Sequence, residues 1–278
     1  MKFNKLYELK AGTDGILSLA RNNSTLYTAG EDNWIMAFNL LNYKPVSQVK
    51  AHMKDVLCLK ISPDFKFLLS ASRDGYVKQW DLGLKLQYEY EPHKSDVNSV
   101  DFLDEKTFIS ASDDATLRIC SCGSKKHKEI NPNAGDLNAV KSVGDKIFVG
   151  GSRLIIYDKD FKEIKSDDSY IYGINLIKEK ENRVFISTSM EKYLEIWDAE
   201  KIEKTKKIKF SNRINDILFW QDKIVIAHSN IISIYDKEMN IIAENDFHRD
   251  EVYSLEIFEN KLITASNDSY VRIWELAD

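Results

Sequence analysis

The chain has 278 residues, 43% of them hydrophobic and 30% charged, with 44 acidic against 39 basic side chains and a formal net charge of -5. That balance describes an ordinary solvated surface and argues against broad binding to a phosphate backbone. Four prolines and 11 glycines leave little room for a flexible linker, so residues 1–278 are expected to form one repetitive domain.

The N-terminus, MKFNKLYELK, has no apolar stretch of the kind a signal peptide needs, and no apolar run approaches the roughly 18 residues of a membrane span. Cys58, Cys120 and Cys122 are odd in number and lack framework spacing, which suits a reducing compartment. The expectation is a cytoplasmic protein with a possible nuclear pool.

Along the chain, four short strand patterns return seven times. The first pattern alternates, as in GILSLA, DVLCLKI, DVNSVDF, DLNAV, YGINLI, INDILF and VYSLEIF. The second is apolar with small residues: TLYTAG, FLLSAS, TFISAS, KIFVGG, RVFIST, KIVIAHS and KLITAS. The third reads WIMAFNL, YVKQWDL, TLRIC, LIIYDK, YLEIWDA, ISIYDK and YVRIWEL. The fourth is more polar, as in KPVSQVK, LKLQYEY and KTKKIKF. Such runs, rich in Val, Ile, Tyr and Phe and bounded by Asp, Asn, Gly and Ser, read as strands. No segment carries apolar residues at helical spacing over ten or more positions.

Taking Phe38, Trp80, Cys120, Tyr157, Trp197, Tyr235 and Trp274 as equivalent, the period is 37 to 42 residues. Four strands per unit and seven units predict an all-β, seven-bladed β-propeller of four-stranded antiparallel blades. The last repeat stops after its third strand, and Phe3 to Leu9 looks like an isolated fourth one. Pairing the two closes the ring and removes two open sheet ends.

The repeats resemble those of the WD40 family over residues 3 to 276. The WD-like dipeptides are Trp80-Asp81 and Trp197-Asp198, with Trp274-Glu275 as a near match. The family's hydrogen-bonded set of His, Ser or Thr, Asp and Trp is placed in full as His52, Ser70, Asp74 and Trp80, and again as His248, Thr264, Asp268 and Trp274. A third copy has His93, Ser110 and Asp114, with Cys120 where Trp would stand. The first repeat keeps Thr28 and Asp32 but has Gly12 in place of His. An Asp in a tight turn accepts backbone N–H groups, a His donates to it, and the other ring nitrogen meets the hydroxyl. These residues are therefore expected to brace turns. Repeats four and six lack the turn Asp, and repeat five has Glu191 there, so the blades around them are expected to be looser.

A His, Ser and Asp in company also invite a hydrolase reading, but a catalytic triad needs one reachable nucleophile, whereas this set recurs. No G-x-S-x-G, H-E-x-x-H or P-loop occurs. Cys120, Cys122 and His127 lack a fourth ligand and a Cys-x-x-Cys pair, so neither metal nor cofactor is expected. The lysines between Lys201 and Lys209 lie on an outermost strand, where they discourage edge pairing.

In proteins resembling this one, partners commonly bind the top face, made by the loops entering first strands and the turns between second and third strands. The resemblance implies a non-enzymatic scaffold or adaptor, a subunit of a larger complex. The expected contact residues are Asp55, Asp96, Asp113 and Asp136 on an acidic arc, and Tyr170, Tyr172, Arg213 and Tyr253 on an adjoining one. The acidic arc suits a basic peptide, and Tyr and Arg are enriched at binding hot spots. Asn98, Asn138 and Asn215 keep a second reading open, a small-ligand binder or enzyme using the central channel. A weak nucleic-acid or anionic-surface binder is a third.

Overall fold

A computed structural model describes residues 2–170, 172–246 and 248–277. The fold is a seven-bladed β-propeller: seven four-stranded antiparallel sheets, six of them built from consecutive strands and the seventh completed by the N-terminal strand. Blade one consists of Ile16–Asn22, Thr25–Gly30, Trp34–Asn39 and Lys44–Lys50. The repeat spacing sets the same sequence of strands for each following blade. Second strands are buried along almost their whole length, as in Phe67–Ser72 and Thr107–Ser112, whereas fourth strands such as Glu203–Lys209 are mostly exposed. The polarity gradient seen in the sequence is thus a gradient of burial across each sheet.

Two compact units are present, one made of residues 1–61 and 215–278 and the other of residues 62–214. In the first, strand Lys2–Lys10 pairs antiparallel with Tyr270–Ala277, from Lys2 opposite Ala277 to Lys10 opposite Tyr270, with the register shifting between Lys5 and Tyr7. The seventh blade is thereby completed, as the incomplete last repeat predicts. Phe3 meets Trp274 edge-on, with ring centroids 6.2 Å apart. Leu9, Ile16, Leu26, Phe38, Ile263 and Val271 form one apolar cluster of this unit. First strands of neighbouring blades are also tied by side chains. Leu59 N–H donates to Ser18 Oγ at 2.9 Å, Leu19 N–H to Ser254 Oγ at 3.1 Å, and Leu255 N–H to Asp216 Oδ2 at 2.8 Å.

The second unit repeats these devices. Ile109, Leu117, Leu137, Val149 and Ile155 pack where blades three and four meet, and Phe148, Leu154, Ile174, Ile186 and Trp197 pack where blades four and five meet. Asp101, almost fully buried, accepts from Ser142 N–H at 2.9 Å and from Lys141 Nζ at 3.0 Å. A buried carboxylate is tolerated because it is both paired and hydrogen-bonded.

Candidate interaction face and the braces beneath it

The turns between second and third strands are built alike where they carry Asp. Asp32, Asp74, Asp114 and Asp268 each use Oδ1 to accept the N–H of the residue two positions on, Trp34, Tyr76, Thr116 and Tyr270, at 3.0 to 3.1 Å. The residue between takes a left-handed conformation: Asn33, Gly75, Ala115 and Ser269 have φ of 70, 88, 64 and 66°. The side-chain bond holds a turn that three of these residue types would otherwise resist.

Behind the turn sits a buried polar network. In blade seven Trp274 Nε1–H donates to Thr264 Oγ1 at 2.9 Å, and the same hydroxyl meets His248 Nε2 at 2.7 Å. His248 Nδ1 faces Asp268 Oδ2 at 3.2 Å. In blade three His93 Nε2 meets Ser110 Oγ at 2.8 Å and Nδ1 meets Asp114 Oδ2 at 3.0 Å. Cys120 stands in the Trp position there without breaking these two contacts. In blade two Trp80 Nε1–H donates to Ser70 Oγ at 2.9 Å, and His52 is buried. Blade one has no His to place: Thr13 N–H takes the free Asp32 Oδ2 at 3.0 Å, and a Cβ on Gly12 would lie 2.7 Å from that oxygen.

Burial lowers the His93 and His248 pKa values, outweighing the carboxylate beside each. Burial alone would raise the Asp114 carboxyl, but hydrogen bonds from Thr116 and Lys94 N–H and the neighbouring His93 hold it down at about 2. Asp268 is likewise held below the usual carboxylate range against the effect of burial. These are neutral imidazoles with ionised partners, aimed at turns rather than at an open cleft. Burial pushes the Cys120 thiol up to about 12 and the Cys122 thiol up to about 11. Neither is a thiolate at neutral pH. Among the described residues no group of three His, Cys, Asp or Glu is placed to hold a metal.

Two arginines that the sequence reading passed over complete the braces. Arg272, two positions before Trp274, reaches Asp268 at 2.6 Å and Glu8 of the N-terminal strand at 2.7 Å, and also touches His248. Arg118, two before Cys120, reaches Glu129 at 3.1 Å and the carbonyls of Glu91 and Pro92. A charged residue two before the Trp position, inside a buried strand, is the signal that marks them.

Blade five corrects one expectation. Tyr170 is almost fully buried, so it does not belong to an exposed contact surface. Gly173, with φ of 83° just before Ile174, holds the place assigned to Tyr170, and the register is three residues out. Tyr170 instead stands where blades three and seven carry His. Its hydroxyl donates to Glu195, which takes the place of Arg118 and Arg272. Lys204 and Lys207 reach the same buried carboxylate at 2.9 and 3.1 Å, and Trp197 N–H approaches it at 3.4 Å. Burial would raise Glu195, but Lys204, Tyr170 and Lys207 hold it low. Two lysines of the polar fourth strand thus serve a structural purpose.

The remaining expected contact residues fall as follows. In the second unit, Asp96 and Asp113 are half-buried, and Asp136 and Arg213 are exposed, as is Tyr172 at 58%. In the first, Asp55 and Tyr253 are half-buried. Asn98 Nδ2 donates to Asp113 Oδ1 and to Leu137 O. Burial raises the Asp113 pKa, and the nearby charges of Asp136 and Asp96 raise it further. These three carboxylates therefore share one electrostatic neighbourhood, tempered by Arg73, whose Nε lies 3.7 Å from Asp96. Asn175 Nδ2 donates to Ile214 O at 2.7 Å and Asn215 Nδ2 to Val252 O at 3.1 Å. Asn98, Asn175 and Asn215 thus spend their amides on the first strand of the following blade.

The sequence profile of the family described as "WD domain, G-beta repeat" matches residues 43–81 and 84–121. Residues 43–81 and 84–121 are thus WD40-type repeats, set in a seven-bladed propeller whose other blades repeat the same four-stranded plan. It is 26% identical over 84 residues to the "CCR4-associated factor 4 homolog" of Vanderwaltozyma polyspora, covering 30% of this chain and 12% of that protein. It is 32% identical over 89 residues to "Kinesin-like protein KIF21A" of Homo sapiens, covering 31% of this chain and 5% of that one. The matched segment is thus a small part of each relative. Within the WD40 pattern, blades two and seven carry all four residue types of the family's polar set, blade three carries it with Cys120 in the Trp position, and blade five has Tyr170 and Glu195 instead.

Proposed function

We propose that this WD40 protein is a non-enzymatic interaction scaffold that binds a protein or peptide partner through the turns at the end of blades three to five. The observation that carries the reading is the division of labour among the polar residues. His93, Ser110, Asp114, Asn98 and Asn175 are consumed by internal hydrogen bonds, whereas Asp96, Asp136, Tyr172 and Arg213 keep exposed or half-exposed side chains on the same turns. A rigid frame with variable, outward polar residues fits recognition better than catalysis. The acidic group of Asp96, Asp113 and Asp136 suits a partner segment rich in Lys or Arg. Association is also what the name of the CCR4-associated factor homolog records for that relative.

The test is quantitative capture from the native source with the tagged chain, comparing wild type with Asp96→Lys plus Asp136→Lys. Folding of the variant is verified by its unfolding midpoint. The scaffold reading expects a reproducible set of partners that drops at least about tenfold in the variant. Unchanged recovery with a correctly folded variant sinks it.

A further inference from the structure

Blade five ends in a patch of opposite character. Three segments meet there: the loop into its first strand, the turn before its third strand, and the residues following its fourth. Ser189 N–H donates to Gly173 O at 3.0 Å, and Phe210 N–H to Lys192 O at 2.8 Å. Lys192 Nζ reaches Ser211 O at 2.9 Å, and Lys209 Nζ reaches Glu191 O. On this base stand two large apolar side chains open to solvent, Tyr172 at 58% and Met190 at 70% exposure.

The charges around them are uneven. Lys192, Lys209 and Arg213 have no carboxylate partner among the described residues. Lys207 is excluded from this count because it neutralises the buried Glu195. The one acidic residue in the turn, Glu191, faces inward. Its Oε1 accepts from Tyr172 N–H at 3.2 Å, and its Oε2 is buried without a hydrogen-bond partner. What the patch shows to solvent is therefore two large, largely apolar side chains, with Lys192 and Lys209 on the bordering segments and Arg213 two residues beyond Ser211. Methionine and tyrosine are adaptable and amphipathic contact residues, and cations at their rim select for anionic partners.

We infer that this end of blade five docks an acidic peptide segment bearing a Leu, Phe or Tyr, with Tyr172 and Met190 holding the apolar side chain and Lys192, Lys209 and Arg213 reading the flanking carboxylates. The inference rests on the scaffold reading and adds a second, oppositely charged recognition element to it. A continuous phosphate chain suits the patch less well. The centre of the patch is the exposed side-chain surface of Tyr172 and Met190, which an apolar peptide side chain covers and a phosphate chain does not.

The experiment is fluorescence anisotropy with the full chain and a labelled peptide of sequence Asp-Glu-Asp-Leu-Phe-Asp-Glu-Asp. Parallel probes are the same peptide with Lys at every acidic position, a 12-nucleotide oligothymidylate, and vesicles of phosphatidylserine and phosphatidylcholine. The acidic peptide is expected to bind, and the lysine peptide to bind at least about tenfold more weakly. Lys192→Glu with Arg213→Glu is expected to weaken it about tenfold, and Tyr172→Ala with Met190→Ala about fivefold. The exposed control Lys159→Glu should change it less than about twofold, since its charge lies elsewhere. Thermal midpoints confirm that each variant folds.

Absence of acidic-peptide binding overturns the inference. So does binding that survives both double variants, or that falls equally with Lys159→Glu. Tighter binding of the oligonucleotide or the vesicles, abolished by the same variants, overturns it in favour of that ligand. None of these substitutions touches Asp96 or Asp136, so failure here leaves the scaffold test to be decided separately.

Discussion

Replacing Asp114 by Ala probes the brace at its most connected point. The Asp114 side chain is 5% exposed and accepts from Lys94 N–H at 2.8 Å, Thr116 N–H at 3.0 Å and Thr116 Oγ1–H at 2.6 Å, besides facing His93 Nδ1. Its carboxyl is held at about 2 against an ordinary 3.8. By linkage that difference is worth about 2 kcal/mol at neutral pH. Truncation also leaves buried donors without an acceptor, which adds roughly 1 kcal/mol or more. The expected loss is about 3 kcal/mol, against near zero for the exposed Asp160→Ala, where no packed network is disturbed.

The sign with pH follows from the same groups. The depressed Asp114 carboxyl contributes stability that is complete above its unfolded value and is lost as pH falls through 3.8 towards 2. Urea unfolding midpoints at pH 7, 5 and 3, for wild type, Asp114→Ala and Asp160→Ala, measure both effects. Asp114→Ala should be much the weaker at pH 7 and should lose less on acidification. Equal midpoints for the two variants at pH 7 would falsify the brace.

Burial lowers the pKa of His93, His228 and His248, so protonation favours the unfolded chain and stability should fall as pH drops below about 6.5, seen as a declining thermal midpoint between pH 7 and 5.5. Tyr170→Phe removes one donor from the buried Glu195 and should cost about 1 to 2 kcal/mol in urea unfolding; a neutral result would show that Lys204 and Lys207 suffice. Deleting residues 2–9 strips the fourth strand from blade seven and uncovers Trp274, and should abolish cooperative unfolding followed by near-UV circular dichroism; a sharp transition at the original midpoint refutes it. In hydrogen exchange, amides of strand Leu154–Asp158 should exchange faster than those of strand Leu117–Ser121, because the turn of blade four has Ser152 Oγ–H bonded to Ala134 O in place of an Asp–His brace; equal protection counts against this.

The strand order was legible because burial and polarity alternate with a fixed period, and the borrowed N-terminal strand because the last repeat is one strand short. The braces of blades three and seven were legible because His, Ser or Thr, and Asp recur at constant spacing. Blade five was not, since Tyr170 and Glu195 preserve the contact but change both residue types. Without a His to anchor the count, the sequence register comes out three residues off and places Tyr170 on the surface. Arg118 and Arg272 escaped notice because an Arg in an alternating strand reads as an outward residue, whereas each here is folded back onto a carboxylate. The latches of Asn98, Asn175 and Asn215 join blades about 39 residues apart in sequence, a distance over which local pattern carries no pairing information.

Central to the proposed function is that Asp96 and Asp136 of blades three and four recognise a partner while the buried set holds the turns. The direct measurement is the affinity of a captured partner for wild type, for Asp96→Lys with Asp136→Lys, and for the conservative brace variant Ser110→Thr, by titration calorimetry. The account predicts a loss of about tenfold or more for the surface pair and an affinity within twofold of wild type for Ser110→Thr. Retained affinity in a folded Asp96→Lys, Asp136→Lys protein would contradict it.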